Sequence, residues 1–398
     1  MSPIPSRAAD AAGRVRPPDR RDHLVAAATD AFSEHGFHGT KLSQIADAAG
    51  VSTPALYRHF DNKSDLLGAV TRTMSLRTQA TLVAVEPRPD DPAGELAALI
   101  DAHLANVLAH RNHSDIYRWE WRSLEPAERS FAREIRRDAH RRVRGLVRAL
   151  RPELTKTEAD TLTDAIYAVA GSPASHRVSL PRKAIIPLIG AAARTAGAAE
   201  LPAADSGTEP SPGLAPTGKR ETILTESVAL FAERGFHEVT IDEIGAASGL
   251  PPSGVYRHFG SKQAILCAAL QRASERTTSA IASGLAQTSS RDDALVCLVE
   301  QYARLCVGDP AIITVYQRCL GALPDDQRAD LRRQQRINVD EWSTWLIDAR
   351  PELSTAAARF LVHAALEVMA DLTASPHAAD APTVTAIALA VLLKTPVD

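Results

Sequence analysis

This chain states one long phrase twice. "AFSEHGFHGTKLSQIADAAG", beginning at Ala31, returns as "LFAERGFHEVTIDEIGAASG" from Leu230, and "ALYRHFDNK" (Ala55 to Lys63) returns as "GVYRHFGSK" (Gly254 to Lys262). One constant offset relates Gly36 to Gly235, Ile45 to Ile244, Tyr57 to Tyr256 and Lys63 to Lys262. The same offset carries Tyr117 onto Tyr316 and the "RPEL" at Arg151 onto the "RPEL" at Arg350. A whole unit is therefore duplicated. At 398 residues the chain also exceeds what one hydrophobic core usually serves. Two like units, each with a core of its own, are the expectation.

Between the copies runs "AAELPAADSGTEPSPGLAPTG", rich in Pro, Gly, Ser and Ala and poor in large apolar residues, which is the composition of a linker. A coil of about 20 residues has an r.m.s. span of roughly 25 Å and reaches about 65 Å when pulled taut, so the two units can face each other. The predicted division is a basic arm over 1–20, a first head over 21–70, a first helical body over 71–197, a linker over 198–218, a second head over 219–270 and a second body over 271–398.

Aromatic residues are only 5% of a chain that is 45% hydrophobic, and alanine recurs in runs such as "AALIDAHLANVLAH". That balance favours helix and gives strands little to build with, so an all-α fold is predicted. The phrase itself reads as short helix, glycine turn, short helix. A helix over Arg21 to His35 is ended by Gly36 in a left-handed conformation; Thr40 caps a second helix that runs through Ala48; Ser52 caps a third with Pro54 in its first turn. Asn62 and Ser261 offer caps for longer helices from Lys63 and Lys262. Farther on, Thr157 to Ala174 and Lys183 to Thr195 carry apolar stripes that include Leu162, Ile166, Val169, Ile185, Ile186 and Ile189. Their counterparts hold Phe360, Leu361, Leu366, Met369, Ile387, Val391 and Leu392, which predicts a four-helix seam made within one chain.

Several function classes find no support. No apolar run approaches the roughly 20 residues of a membrane span, and the start lacks the apolar stretch of a signal peptide, so a cytoplasmic protein is expected. Cys267, Cys297, Cys306 and Cys319 show no C-x-x-C spacing and read as buried free thiols. There is no G-x-S-x-G, phosphate loop or H-E-x-x-H, and the histidines are dispersed; neither an enzyme, a cofactor nor a metal is implied. The formal net charge is −3, so any surface suited to nucleic acid has to be local.

Taken in order, Gly-Phe-x-x-Thr, Ile-Ala, Ala-Gly-Val-Ser, Leu-Tyr-Arg-His-Phe and Lys63 make the stretch from Arg21 to Val70 resemble the N-terminal DNA-binding domain of the tetracycline-repressor (TetR) family. Lys219 to Leu270 resembles it a second time, and the tandem arrangement is similar to actinobacterial repressors of lipid-import operons of the mammalian-cell-entry type. The resemblance implies double-stranded DNA as partner, a helix-turn-helix that reads it, a helical body that binds a small effector, pairing of units through two C-terminal helices each, and repression as the common mode.

The residues suit that task. A reading helix needs short side chains at its N-terminus, so that the backbone can approach the bases, and longer polar groups behind them. Ser52, Thr53, Pro54 and Ala55 are short, and Tyr57, Arg58 and His59 follow. Thr53 and Ala55 can meet thymine methyls, Tyr57 and His59 can donate to phosphates, and Arg58 can reach a base or a phosphate; His59 as a structural cap and Arg58 as a solvated charge stay open. Lys63, at a helix N-terminus, reads as a phosphate anchor, with Thr40 on the opposite strand and Lys41 a further candidate DNA contact. The second head offers Thr240, Pro252, Ser253, Gly254, Tyr256, Arg257, His258 and Lys262. It places Asp242 and Glu243 where the first has Ser43 and Gln44, which predicts a weaker grip there, and Pro252, Ser253 and Gly254 where the first has Thr53, Pro54 and Ala55, which predicts different base preferences. The arm, with Arg7, Arg14, Arg16, Arg20 and Arg21, is either a minor-groove reader or a solvated tail.

Tyr117, Trp119 and Trp121 in the first unit and Tyr316 in the second are the candidate walls of an effector pocket, a lipid or sterol metabolite being one class that fits them; core packing accounts for them equally well. Two arrangements remain open: one chain reading a non-palindromic operator as an intramolecular pseudo-dimer, or a homodimer of fused chains with four heads. A regulator in which only the first head is active is the further alternative.

Overall fold

The computed structural model describes residues 20–112, 124–203, 217–375 and 377–397. Residues 1–19 of the arm, most of the linker, and Tyr117, Trp119 and Trp121 lie outside the described residues. In the first unit, helices α1 (Arg20–Gly39), α2 (Leu42–Ala48) and α3 (Thr53–Leu56) form a head; α4 (Lys63–Val83) leads into a body of α5 (Pro92–Ala109), α6 (Pro126–Leu150), α7 (Lys156–Gly171) and α8 (Arg182–Gly197). The second unit repeats the plan. Its head is α9 (Lys219–Arg234), α10 (Ile241–Ala247) and α11 (Pro252–Tyr256), and α12 (Lys262–Leu285) leads to α13 (Arg291–Gly308), α14 (Pro310–Cys319), α15 (Asp325–Ala349), α16 (Thr355–Ala374) and α17 (Ala381–Leu389). Among the described residues there is no strand.

Local chemistry sets most helix ends. Gly36 and its repeat Gly235 take φ of 69° and 91°, a region L side chains avoid, and the chain turns there. Asn62 and Ser261 cap α4 and α12 by accepting from the backbone N–H groups of Asp65 and Ala264. The cap expected of Thr40 is corrected: Lys41 is the N-cap of α2, and Thr40 is buried with its hydroxyl donating to the carbonyls of Ala31 (3.0 Å) and Gly36 (2.7 Å). The side chain repairs the frayed end of α1 instead of opening α2. In the second unit Val239 is buried at the same place and Thr240, one residue on, makes the cap.

The first head has a core of its own, built on Leu24, Phe32, Ile45, Leu56, Phe60 and Leu66. Both bodies and the second head share one continuous core. At its centre α7 and α8 pack on α16, and α8 also packs on the π-helical turn (Ala390–Lys394) that extends α17, which is the four-helix seam. Leu162, Ile166, Val169, Ile185, Ile189, Phe360, Leu361, Met369, Ile387, Val391 and Leu392 are buried in it; Ile186 and Leu366 are half-buried. The contacts cross between equivalent places. Ser375 donates to Asp164 at 3.1 Å, and their repeat partners His176 and His363 stack with ring centroids 4.1 Å apart, so the two units face each other about an approximate two-fold axis. Of the cysteines, Cys306 and Cys319 are buried as expected, whereas Cys267 and Cys297 are half-buried; all four are free thiols.

Candidate nucleic-acid interface

Each reading helix is short and is held from beneath by two apolar side chains. Leu56 and Phe60 are 0% and 1% exposed, and their repeats Val255 and Phe259 are 0% and 4% exposed. An anchor one turn apart fixes which residues point away. In the first head those are Pro54, Tyr57 and Arg58, exposed, with Thr53, Ala55 and His59 half-buried beside them. Tyr57 is 51% exposed and Tyr256 54%, which sets both apart from core aromatics. Ser52 is exposed and accepts from the Ala55 N–H at 3.4 Å, closing the first turn of α3.

The second head presents Pro252, Ser253, Tyr256, Arg257 and His258 to solvent. Gly254 is half-buried, and a Cβ there would approach Leu250 Cβ to 3.3 Å. Behind each reading helix lies a cation that the motif alone did not flag. Arg21 sits 4.7 Å from the centre of the Phe60 ring and Arg220 sits 4.5 Å from that of Phe259. The sequence reading places Arg21 with the arm and does not single out Arg220, although the constant offset pairs them.

The two lysines expected as phosphate anchors make contacts within their own heads. The Lys63 ammonium donates to the carbonyls of Phe37 (2.7 Å) and Thr40 (2.9 Å), with His38 at 3.5 Å, and lies over the Phe37 ring. Lys262 repeats this on Phe236, His237 and Val239, at 2.8, 3.2 and 2.6 Å, and burial lowers its pKa. An ammonium has three donors, and both lysines direct them at carbonyls of the turns that follow Gly36 and Gly235. They tie helix to helix. Thr40 is likewise turned inward, while Lys41 and Thr240 remain exposed.

The heads differ most along α2 and α10. Gln44 accepts from the Lys41 N–H at 2.8 Å. Glu243 accepts from the Thr240 N–H (2.8 Å) and hydroxyl (2.9 Å) and pairs with Arg234 at 2.7 Å. The Thr240 backbone bond, then Arg234 and the Thr240 hydroxyl, hold its carboxyl down to about 2, so the second head keeps a fixed negative charge where the first has an amide.

The heads also touch. His38 and His237, equivalent residues, stack with centroids 4.1 Å apart, and Glu238 lies 3.7 Å from His38 Nε2. Burial lowers both histidines, His237 to about 4, against the pull of Glu238 on His38 and with Lys63 and Lys262 adding to the lowering. Both copies spell Gly-Phe-His, so the signal was present; nothing in it said that the two would meet. Beside this contact is a polar cleft of about 590 Å³ lined by His35, His38, Arg234, His237 and Tyr316. Tyr316 is thereby drawn to the space between heads, its hydroxyl bonded by Ser274 and pushed up to about 12 mainly by burial. A second cavity of about 590 Å³ lies in the first body among α4, α5, α6 and α7, with His103 and Tyr167 on its walls.

Comparison with known proteins finds relatives of both heads and of the first body. The model for the N-terminal domain of bacterial regulatory proteins of the tetR family matches residues 24–70 and again 223–269, and the tetracyclin repressor-like C-terminal domain matches 89–173. The HTH-type transcriptional activator FasR of Mycolicibacterium smegmatis is 46% identical over 52 residues, 13% of this chain and 24% of FasR. RutR, an HTH-type transcriptional regulator of Escherichia coli K12, is 47% identical over 53 residues, 13% of this chain and 25% of RutR. The chain thus spans about a quarter of the length of these curated relatives. The HTH-type transcriptional repressor KstR2 of Rhodococcus jostii is 30% identical over 129 residues, 32% of this chain and 61% of KstR2. Among solved structures, a TetR-family regulator from Bordetella parapertussis is 24% identical, with a TM-score of 0.39 over 44% of this chain and 93% of its own. Carrying the tetR-family N-terminal domain twice and the repressor-like C-terminal domain after the first copy, the chain belongs to the tetR family of bacterial regulators.

Proposed function

We propose that the protein is a cytoplasmic transcriptional regulator that binds double-stranded DNA through both heads, as an intramolecular pseudo-dimer reading a non-palindromic operator. The observation that carries this reading is the crossed pairing of equivalent residues, Asp164 with Ser375 and His363 with His176, at a seam internal to one chain. A lone helix-turn-helix buries too little surface to be specific, and paired heads meet grooves about 34 Å apart. Here the second head is supplied in cis. Pro54, Ala55, Tyr57 and Arg58 face one half-site and Pro252, Ser253, Tyr256 and Arg257 the other; since these edges differ, so do the bases they suit. Repression relieved by a small hydrophobic effector, of lipid or sterol class, completes the reading. Effector binding in a body would act by favouring one separation of the heads, with His38 and His237 as the contact that gives way.

Footprinting on the DNA flanking the protein's own gene supplies the operator, and sedimentation with the minimal fragment supplies the stoichiometry. One chain per minimal site is expected; an obligatory two-chain complex would replace the pseudo-dimer with a four-headed dimer. The charge on Glu243 favours a second reading, in which only the first head grips DNA. Tyr256→Ala with Arg257→Ala separates the two: a loss of at least tenfold in affinity at fixed salt is expected, and unchanged retention would mean an inactive second head.

A further inference from the structure

The cavity in the first body is walled in part by the second unit. Arg318 of α14 and Asp371 and Ser375 at the end of α16 line it, and on another side it reaches Thr29 of α1 in the first head. Met74, Leu82, Val107 and Ile135 make much of its surface apolar. One polar group stands out: His103 Nδ1 is buried and has no hydrogen-bond partner among the described residues. Burial brings this imidazole to about 4, so at neutral pH it is uncharged and offers one donor and one acceptor. A buried polar atom left unmatched in this way is costly, and a ligand that pairs it recovers that cost.

From His103 a line of contacts leads to the seam. The His103 ring lies edge-on to Tyr167, with centroids 5.2 Å apart, and Tyr167 stacks on His140 at 4.2 Å. His140 Nδ1 is 3.4 Å from one oxygen of Asp164, and the other oxygen accepts from Ser375 of the second unit.

The second body is lined differently at the equivalent places. Tyr302 stands where the first unit has His103, Val339 where it has His140, Leu366 where it has Tyr167, and Trp342 where it has Val143. Trp342 is 1% exposed and meets Tyr302 edge-on at 5.9 Å, while Tyr302 is hydrogen-bonded with Cys306. An indole and a phenol occupy volume that an isopropyl group and an imidazole leave open.

We infer that the chain takes one effector per chain, in the first body alone, and that this effector is an apolar molecule whose single hydroxyl, carbonyl or N–H group bonds His103. The inference rests on the reading of the chain as an effector-controlled regulator and assigns that control to one composite site. A cavity of this size suits a drug-sized apolar molecule. Because Arg318 and Ser375 belong to the second unit and Thr29 to the first head, an occupant contacts both units and a head at once, which a pocket enclosed by one unit does not.

The test is a fluorescence titration of the full chain with N-phenyl-1-naphthylamine, an uncharged apolar probe with one N–H donor. One equivalent per chain is expected. Val143→Trp, which transplants the indole of the second unit, is expected to weaken binding at least tenfold, and His103→Phe, close in volume, several-fold. Trp342→Val is expected to open a second site and raise the stoichiometry to two. Thermal melts confirm that each variant is folded, and His103→Phe keeps the test decisive if Val143→Trp is not. No binding, two equivalents in the unaltered chain, or unchanged affinity in folded Val143→Trp or His103→Phe would overturn the inference. Retardation of operator DNA by the probe-free chain is scored separately: DNA binding without single-site uptake sinks only this inference, and single-site uptake without DNA binding sinks only the regulator reading.

Discussion

Lys63 and Tyr57 belong to the same repeated phrase and have opposite fates. Tyr57 is pushed outward because Leu56 and Phe60 take the inner face, a consequence of helical spacing that can be read along the chain. Lys63 is drawn inward because three carbonyls at the end of α1 converge on its ammonium. Those carbonyls come from residues more than 20 positions earlier, and no local pattern announces them. Lys63→Met, which keeps the stem and removes the donors, is expected to destabilise the first head by about 1–3 kcal/mol, with Lys63→Arg intermediate. The check is a thermal melt alongside DNA retardation. Were Lys63 a phosphate contact instead, the melt would hold and the slope of log K against log salt would fall by about one.

At the level of elements, the helix ends divide in the same manner. Asn62, Ser261 and Ser52 sit where a short polar side chain precedes a helical run, and each caps as its position suggests. Thr40 fails that reading by a single residue, because its side chain is on the buried side of the turn. The difference between α2 and α10 is legible as Gln44 against Glu243, but one of the partners that hold the charge, Arg234, comes from another helix. Glu243→Gln retains an acceptor for the Thr240 N–H while removing the charge and releasing Arg234. Operator affinity is expected to rise about threefold at low salt, the small effect typical of an exposed charge, and the gain to vanish at high salt. Retardation assays at two ionic strengths decide the matter, since equal affinities at low salt would show that α10 lies away from the DNA.

At the scale of the molecule, the seam ties stability to pH. Burial, with Arg111 and Arg359 adding to it, lowers His363 to about 4, and its stacking partner His176 is lowered as well. The unfolded chain, with imidazoles near 6.5, binds more protons than the folded one between those values, so stability is complete above about 6.5 and is lost as pH falls toward 4. The expected loss attributable to His363 is about 2 kcal/mol by pH 5. His363→Phe should keep the stack and flatten this fall; melts at pH 7.5, 6 and 5 compare the slopes, and parallel curves for the two proteins would remove the seam histidine as the cause. The duplication, the helical class, the two heads and the apolar stripes of the seam were all readable along the chain, because they arise from repetition, spacing and caps, which are local or periodic. The meeting of His38 with His237, the inward turn of Lys63 and Lys262, and a cavity in the first body walled by both units were not. Those depend on which side chains from distant segments compete for the same volume, and volume is assigned only when the helices pack.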